Sequence, residues 1–449
     1  MEKDQAVVAG RTLTGDSASI HELAQGVLAG APLAFRVRET LANHELAKTL
    51  ETLRHSESDT SVLRTLFPES PDTTGVAFLP KDRLLSPEEK TAAAAAFAGV
   101  LDSGDFTSGP AVDSFEGALS EFLGAAHTVA TGSGTDALII ALRAVGVGPG
   151  DQVILPANSF AATENAVFAC GAEPVLADVT LPDGNLDPAS VEEHITARTT
   201  AILPVHLYGR LADMAGLRAV ADRHRVSLVE DACQAIGVTG VGQYSDAAAL
   251  SFNPYKNFGL CGKSGAVITG SAEIAERCRV LSYHGFVPGQ KNIKCETFGL
   301  NSRIDNTMAA IGLALLPWLS LRALRRACLA KRYIDALSPL ARQVPLDVPP
   351  FAPDHAWHLF PLVFHEDGLR DTVRTRVSRS SGVETDVYYP VLTHQHETPL
   401  REKLFGDVSL PRTEQLNAHV LHLPLHAGMS LGEQDRVIDA LHDALRAQT

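Results

Sequence analysis

The stretch "DQVILPANSFAATENAVFACGAEPVLADV", residues 151–179, decides the fold. It opens on the apolar run "VILP" and crosses a polar segment. It then places apolar residues at helical spacing and, after Gly171, enters a second apolar run, "PVLADV". Neither run alternates between apolar and polar residues. Continuous Val/Ile/Leu runs suit strands covered on both faces, which is the condition of a parallel sheet. Two such strands joined by a helix form a βαβ unit.

The pattern repeats outward from there. Upstream, "HTVAT" (127–131) leads into the apolar helix "GTDALIIALRAVGV" (134–147). Downstream come strand "TTAILPVHLYG" (199–209), helix "MAGLRAVADRHR" (214–225) and strand "VSLVEDA" (226–232). Strand "AALSF" (248–252), strand "GAVITG" (265–270) and helix "AEIAERCRVLSYHG" (272–285) follow. The expected fold class is α/β with a mostly parallel sheet. A long apolar helix over 305–337 contains Pro317, which is expected to kink it. Beyond about residue 340, "HLFPLVF", "LRDTVRTRVSRSS", "ETDVYYP" and "GEQDRVIDALHDALRAQ" mix both periods, as a smaller α+β unit does. Ahead of the α/β pattern, "SIHELAQGVLAG", "TLANHELAKTLETLRH" and "TSVLRTLF" read as helices, and "PESPDTTG" (68–75) reads as a linker. The expected division is a helical N-terminal extension (1–76), a large domain (77–335) and a small C-terminal domain (336–449). The extension is read as a packing or dimer-supporting element.

The chain has 449 residues, 45% of them hydrophobic, and a net charge of -15. That length supports more than one core. The acidic balance argues against nucleic acid as a partner. The six cysteines form no C-x-x-C pair and are read as free thiols. No metal site is expected. No secretory leader is visible and no apolar run is read as a bilayer span, so a cytoplasmic protein without a membrane partner is expected.

Ligands of parallel sheets bind beyond the carboxyl ends of the strands. Three strand ends carry polar residues. In "TGSGTDAL" (131–138), Gly134 and Thr135 open a helix directly after a strand, a place suited to phosphate. Alone, an ordinary turn is the better reading. In "VSLVEDACQAIG" (226–237), Asp231 and Gln234 follow a buried run. Alone, Asp231 is better read as a helix N-cap. In "LSFNPYKNFGLCGKSG" (250–265), Ser251 ends a strand and Lys256 stands between it and a glycine-rich turn. A lysine there can act as a Schiff-base amine, or it can snorkel to solvent. In this order, a phosphate cradle, a carboxylate and a lysine are what pyridoxal 5'-phosphate needs.

From about residue 77 onward the chain resembles the DegT/DnrJ/EryC1/StrS family of sugar aminotransferases, of fold type I. The resemblance runs in order through "DSGDFTSGPAVDSFEGALSEFLG", "TGSGTDALIIALRAVGVGPGDQVILPANSFAATENAVFACGAEPVLADV", "HLYGRLADM", "VEDACQAIG", "SFNPYKNFGLCGKSGAVIT", "YHGF", "FGLNSRIDNTMAAIGLALL" and "YYPVLTHQ". It implies that Lys256 is the Schiff-base lysine, that Asp231 pairs with the cofactor's ring nitrogen, and that Gln234 bonds its phenolic oxygen. Phe160 is implied to stack on the ring, although alone it reads as a core residue. Gly134, Thr135 and Ser251 are implied to hold the phosphate. Asn301 is implied to reach the phosphate from a neighbouring subunit, which makes a homodimer with shared sites. Candidates for holding substrate are Tyr208, Arg210, His284, Arg303, Tyr389 and His394. Three positions depart from the family's habit: Arg210, Ser264 and Ser302. They are expected near the entrance or the substrate end.

The implied activity moves an amino group from L-glutamate or L-glutamine to a keto sugar, expected to be nucleotide-linked, through pyridoxamine 5'-phosphate. The alternative is an aminotransferase or dehydratase acting on a cyclitol or other cyclic ketone, of the aminocyclitol or amino-hydroxybenzoate type. Relatives with histidine in place of the lysine are dehydratases, so Lys256 favours transamination. The intact set of Lys256, Asp231 and Ser251 argues against a non-catalytic regulator.

Overall fold

The computed structural model describes residues 7–8, 11–12, 19–28, 44–67, 75–290, 292–352 and 354–446. They divide into two compact units: Met1–Lys90, Pro317–Tyr388 and Ala418–Thr449 form one, and Thr91–Leu316 with Tyr389–Asn417 form the other. These limits run differently from a three-part division at 76/77 and 335/336. Residues 68–74 of the expected linker lie outside the described residues.

The second unit is built on seven strands: β1 (His127–Thr131), β2 (Gln152–Pro156), β3 (Glu173–Ala177), β4 (Thr199–Ile202), β5 (Ser227–Asp231), β6 (Ala247–Ser251) and β7 (Gly265–Thr269). Their order in the sheet is β1-β7-β6-β5-β4-β2-β3. Every pairing is parallel except the two made by β7, which runs against β6 and β1. The mostly parallel sheet is therefore as expected. Its strands are apolar at successive positions because both faces are covered. Val153, Leu155, Ala201 and Val229 join a core with the helices Gly134–Ala144, Ala162–Ala169 and Ala272–Ser282. Their neighbours Ile154, Ile202 and Leu228 point the other way, into a core with Met214, Leu217 and Val220 of the helix Met214–His224.

The returning segment Tyr389–Asn417 is fastened to this unit by Asp178. Its Oδ1 accepts the Thr413 N–H (2.8 Å) and Oγ–H (2.7 Å), and its Oδ2 accepts from Arg412 Nε (3.2 Å). Burial alone would push the Asp178 carboxyl up, but these donors together hold it below the usual range.

The other unit contains the helices Ile20–Leu28, His44–Arg54 and Asp59–Leu66, so the helical reading of the N-terminal segment holds. Leu23, Leu53, Val62 and Leu66 are fully buried, and Ile20–Leu28 packs on Leu319–Ala341. A three-stranded antiparallel sheet (Leu346–Asp347, Phe360–Phe364, Val420–Leu423) and the helices Leu369–Ser381 and Leu431–Arg446 complete it. Pro317 lies in a 3-10 turn, Leu316–Trp318, which separates the helix Asn306–Leu315 from Leu319–Ala341. Contrary to expectation, the stretch Asn306–Ala341 is long and apolar enough to cross a membrane, but 61% of its most apolar part is buried inside the protein.

Candidate active site

The site is assembled at the carboxyl ends of β1, β5 and β6. At the first, Ser133 takes an extended conformation and caps the helix Gly134–Ala144, its Oγ accepting the Asp136 N–H at 3.0 Å. Among the described residues no acceptor bonds the N–H groups of Gly134 and Thr135, so both remain available at a helix N-terminus. A Cβ on Gly134 would lie 2.6 Å from Ser251 Cβ and 2.9 Å from its Oγ. Glycine is thus required where the end of β6 meets this turn, and Ser251 stands beside the free N–H groups. Beneath the turn lies Ser302, which accepts the Gly132 N–H through its backbone oxygen (2.7 Å) and donates to Asp136 Oδ2 (2.7 Å). Ser302 is 4% exposed and Ser264 1%. These two are not at an entrance: one supports the turn and the other is sealed beside β7. Arg210, the third departure, is partly exposed and 3.8 Å from Asp183.

At the second end, no helix follows β5, so Asp231 caps nothing. Successive residues of a strand face opposite ways, and the two carboxylates at 230 and 231 find different partners. Glu230, with no exposure, accepts from His206 Nε2 at 2.8 Å and from the Gly242 N–H. Asp231, 5% exposed, accepts from Thr163 Oγ1 at 2.7 Å and from the Cys233 N–H at 3.2 Å. It makes no ion pair with a described residue, although a buried carboxylate needs a cationic or hydrogen-bonding partner. Cys233 lies within electrostatic reach of both Asp231 and Lys256. Burial first, then Asp231, push its thiol well up, so it is a neutral neighbour.

Gln234 is oriented by two bonds. Its Oε1 accepts the Tyr208 N–H (2.9 Å) and its Nε2 donates to Tyr389 Oη (3.1 Å). Tyr208 stands in the left-handed region at φ 60, a costly place for a tyrosine, and burial pushes its phenol up. Phe160 is 61% exposed, which rules out a core role, and its ring centroid is 6.3 Å from that of Tyr389.

At the third end, Lys256 sits in a turn, its N–H donating to Asn253 O at 2.8 Å. The glycine at 259 serves that turn: a Cβ there would lie 2.2 Å from Pro254 O. Three candidates stand together near the end of β1. Asn301, exposed, bridges Tyr283, and Arg303 lies 4.5 Å over the Tyr283 ring and bonds Ser108. His284, also left-handed, packs its ring on Tyr283. His394 is not grouped with them: it is 5% exposed and bonds Glu414 at 3.0 Å. Reading the sequence missed Thr163, whose link to Asp231 carries no local signal, and it set Ser302 near the entrance or substrate end rather than beneath the turn.

Free helix N–H groups beside a serine, a carboxylate with no cation among the described residues, and a lysine, all at the ends of one sheet, fit pyridoxal phosphate. The chain belongs to the DegT/DnrJ/EryC1/StrS aminotransferase family, which it matches over residues 87–442. It is a pyridoxal-phosphate-dependent aminotransferase. It is 46% identical over 373 residues to the 3-oxo-glucose-6-phosphate:glutamate aminotransferase of Bacillus subtilis, covering 83% of this chain and 84% of that one. It is 41% identical to the dTDP-3-amino-3,4,6-trideoxy-alpha-D-glucose transaminase of Streptomyces venezuelae, over 78% and 91% of the two chains. Among solved structures it resembles NtdA of Bacillus subtilis with its cofactor PMP bound, at a TM-score of 0.85 and 44% identity, covering 88% of this chain and 91% of that chain.

Proposed function

We propose that the protein transfers an amino group from L-glutamate or L-glutamine to a keto sugar, at carbon 3 of a hexose that carries a phosphate or a nucleotide. The observation that carries this reading is the 46% identity, over most of both chains, to an enzyme whose name specifies 3-oxo-glucose-6-phosphate and glutamate. Other relatives support carbon 3: their names specify dTDP-3-amino sugars and a UDP-N-acetyl-3-dehydro-glucosamine. A sugar 6-phosphate is therefore the first acceptor to test. A nucleotide-linked sugar is the second and a cyclic ketone the third.

The residues divide the work. The N–H groups of Gly134 and Thr135 and the Ser251 hydroxyl bind the cofactor's phosphate. Phe160 covers one face of its ring, and Gln234 offers its remaining amide hydrogen to the phenolic oxygen. Bound pyridoxal phosphate supplies an electron sink for the pair released at the donor's Cα. Asp231 would face the cofactor's ring nitrogen and favour the charge that builds up there. Lys256 would anchor the cofactor through its Nζ, and the same amine, when free, would be the general base and acid for the proton at the donor's Cα. Arg303 and Arg210 suit the phosphate or carboxylate of a substrate, and His284, Tyr208 and Tyr389 are further candidates for holding it. Asn301, exposed in this chain, serves the site of a second copy in a homodimer.

Single-turnover spectroscopy tests the assignment. The pyridoxamine form is mixed with 3-oxo-glucose-6-phosphate, a dTDP- or UDP-linked 3-keto sugar, and a cyclic ketone. Return of the aldehyde form's absorbance with the sugar phosphate is expected. Conversion by the cyclic ketone alone would overturn the sugar reading. Multiple turnovers at the wild-type rate by Lys256→Ala would overturn the mechanism.

A further inference from the structure

Asp231 is held by a hydroxyl chain that the reaction as described does not use. Thr163, 1% exposed, lies in the first turn of the helix Ala162–Ala169, and its Oγ1 is 2.7 Å from Asp231 Oδ2. Ser159 Oγ is 2.7 Å from the same Thr163 oxygen. An ionised carboxylate only accepts. Thr163 therefore gives its one hydroxyl proton to Asp231, and Ser159 gives its own to Thr163. Each donor in the chain polarises the next. The other carboxylate oxygen takes the Cys233 N–H at 3.2 Å. Both donors to the carboxylate are neutral, so neither competes with a cation for it.

The same turn carries Phe160, which lies between Ser159 and Thr163 in sequence. Its carbonyl accepts the Thr163 N–H at 3.0 Å. The ring-covering side chain and the hydroxyl on Asp231 are thus presented by one short turn.

We propose that Thr163, backed by Ser159, is a positioning residue that holds Asp231 oriented toward the cofactor's ring nitrogen. The proposal rests on the reading of Asp231 given above. Thr163→Val keeps the shape and removes the donor; Thr163→Ser keeps the donor. A hydrogen bond to a charged group is worth enough that the apoenzyme of Thr163→Val should bind pyridoxal phosphate about tenfold more weakly. A ring nitrogen with less proton character withdraws less charge. The nitrogen shared with Lys256 should then titrate higher, and the pH midpoint of the cofactor's colour change should rise by roughly half a unit or more. Thr163→Ser should restore both values, and Ser159→Ala should move both in the same direction by less.

Affinity is read by titrating apoenzyme with pyridoxal phosphate, and the midpoint by absorbance against pH. An unmoved midpoint in Thr163→Val overturns the proposal, even if affinity falls, because packing alone would explain that loss. If Thr163→Val fails to fold, Ser159→Ala decides: a raised midpoint supports the chain and an unmoved one overturns it. Asp231→Asn run alongside separates two failures. An unmoved midpoint there removes Asp231 from the ring nitrogen, and the role of the hydroxyl chain falls with it.

Discussion

Two buried carboxylates, one in each unit, are treated in opposite ways. Glu433, whose side chain is 1% exposed, takes a two-pronged bond from Arg83 at 2.7 and 2.8 Å, with the Ser430 N–H and hydroxyl both at 3.0 Å. Burial pushes its carboxyl up, but Arg83 and Ser430 together outweigh that and bring it down to about 2. Asp231 is nearly as buried and takes the Thr163 hydroxyl and the Cys233 N–H, with no cation paired to it among the described residues. A carboxylate that only supports the fold has its partner within the chain. One that serves a ligand keeps a place for it. The general lesson is that the unpaired member of such a set is the one to test for function.

If this contrast is right, substituting each residue should affect a different property. Asp231→Asn should lower turnover about a hundredfold or more, since the charge that stabilises the ring nitrogen is lost. The apoenzyme's stability, by denaturant titration, should stay within about 1 kcal/mol of wild type. A large loss of apoenzyme stability would make Asp231 structural. Glu433→Gln should do the reverse. Breaking one side of a buried pair costs about 3 kcal/mol, while cofactor affinity should remain at its wild-type value. If affinity fell instead, the contrast would fail.

A further effect is expected on pH. Burial holds His422 and His426 down to about 3, and for His426 Arg326 and Arg83 add to it. Their folded values lie below the unfolded value of about 6.5. Both are neutral in the folded protein, so the stability they contribute is complete above about 6.5. It is lost as pH falls toward about 3, because the unfolded chain binds the protons. Thermal melts between these limits should show stability falling with acid. His426→Gln should flatten the slope, and an unchanged slope would remove His426 from the account.

Much of this site is legible along the chain because its residues lie at or just past the ends of strands that carry successive apolar residues. Asp231, Gln234, Ser251 and Lys256 follow such runs within a few residues. The aligned ends of a parallel sheet do the rest. Thr163 was not legible. It reads as an ordinary first-turn threonine, and its partner is 68 residues away. Ser302 looked like a change near the substrate for the same reason, since nothing local says that it lies under Gly132. His394 looked like a substrate residue, yet it bonds Glu414.

Local pattern determined the alternation of strands and helices, the break at Pro317 and the strand-end places of the candidate cofactor-binding residues. These depend on burial periodicity, missing N–H groups and free helix ends, all properties of neighbouring residues. Only the tertiary structure decided which polar groups meet. The hydroxyl chain on Asp231, the two bonds that aim Gln234 and the fit of Gly134 against Ser251 each join residues far apart in sequence. Hydrogen bonds and steric contacts act over a few ångströms of space, and that distance exists only once the chain has folded.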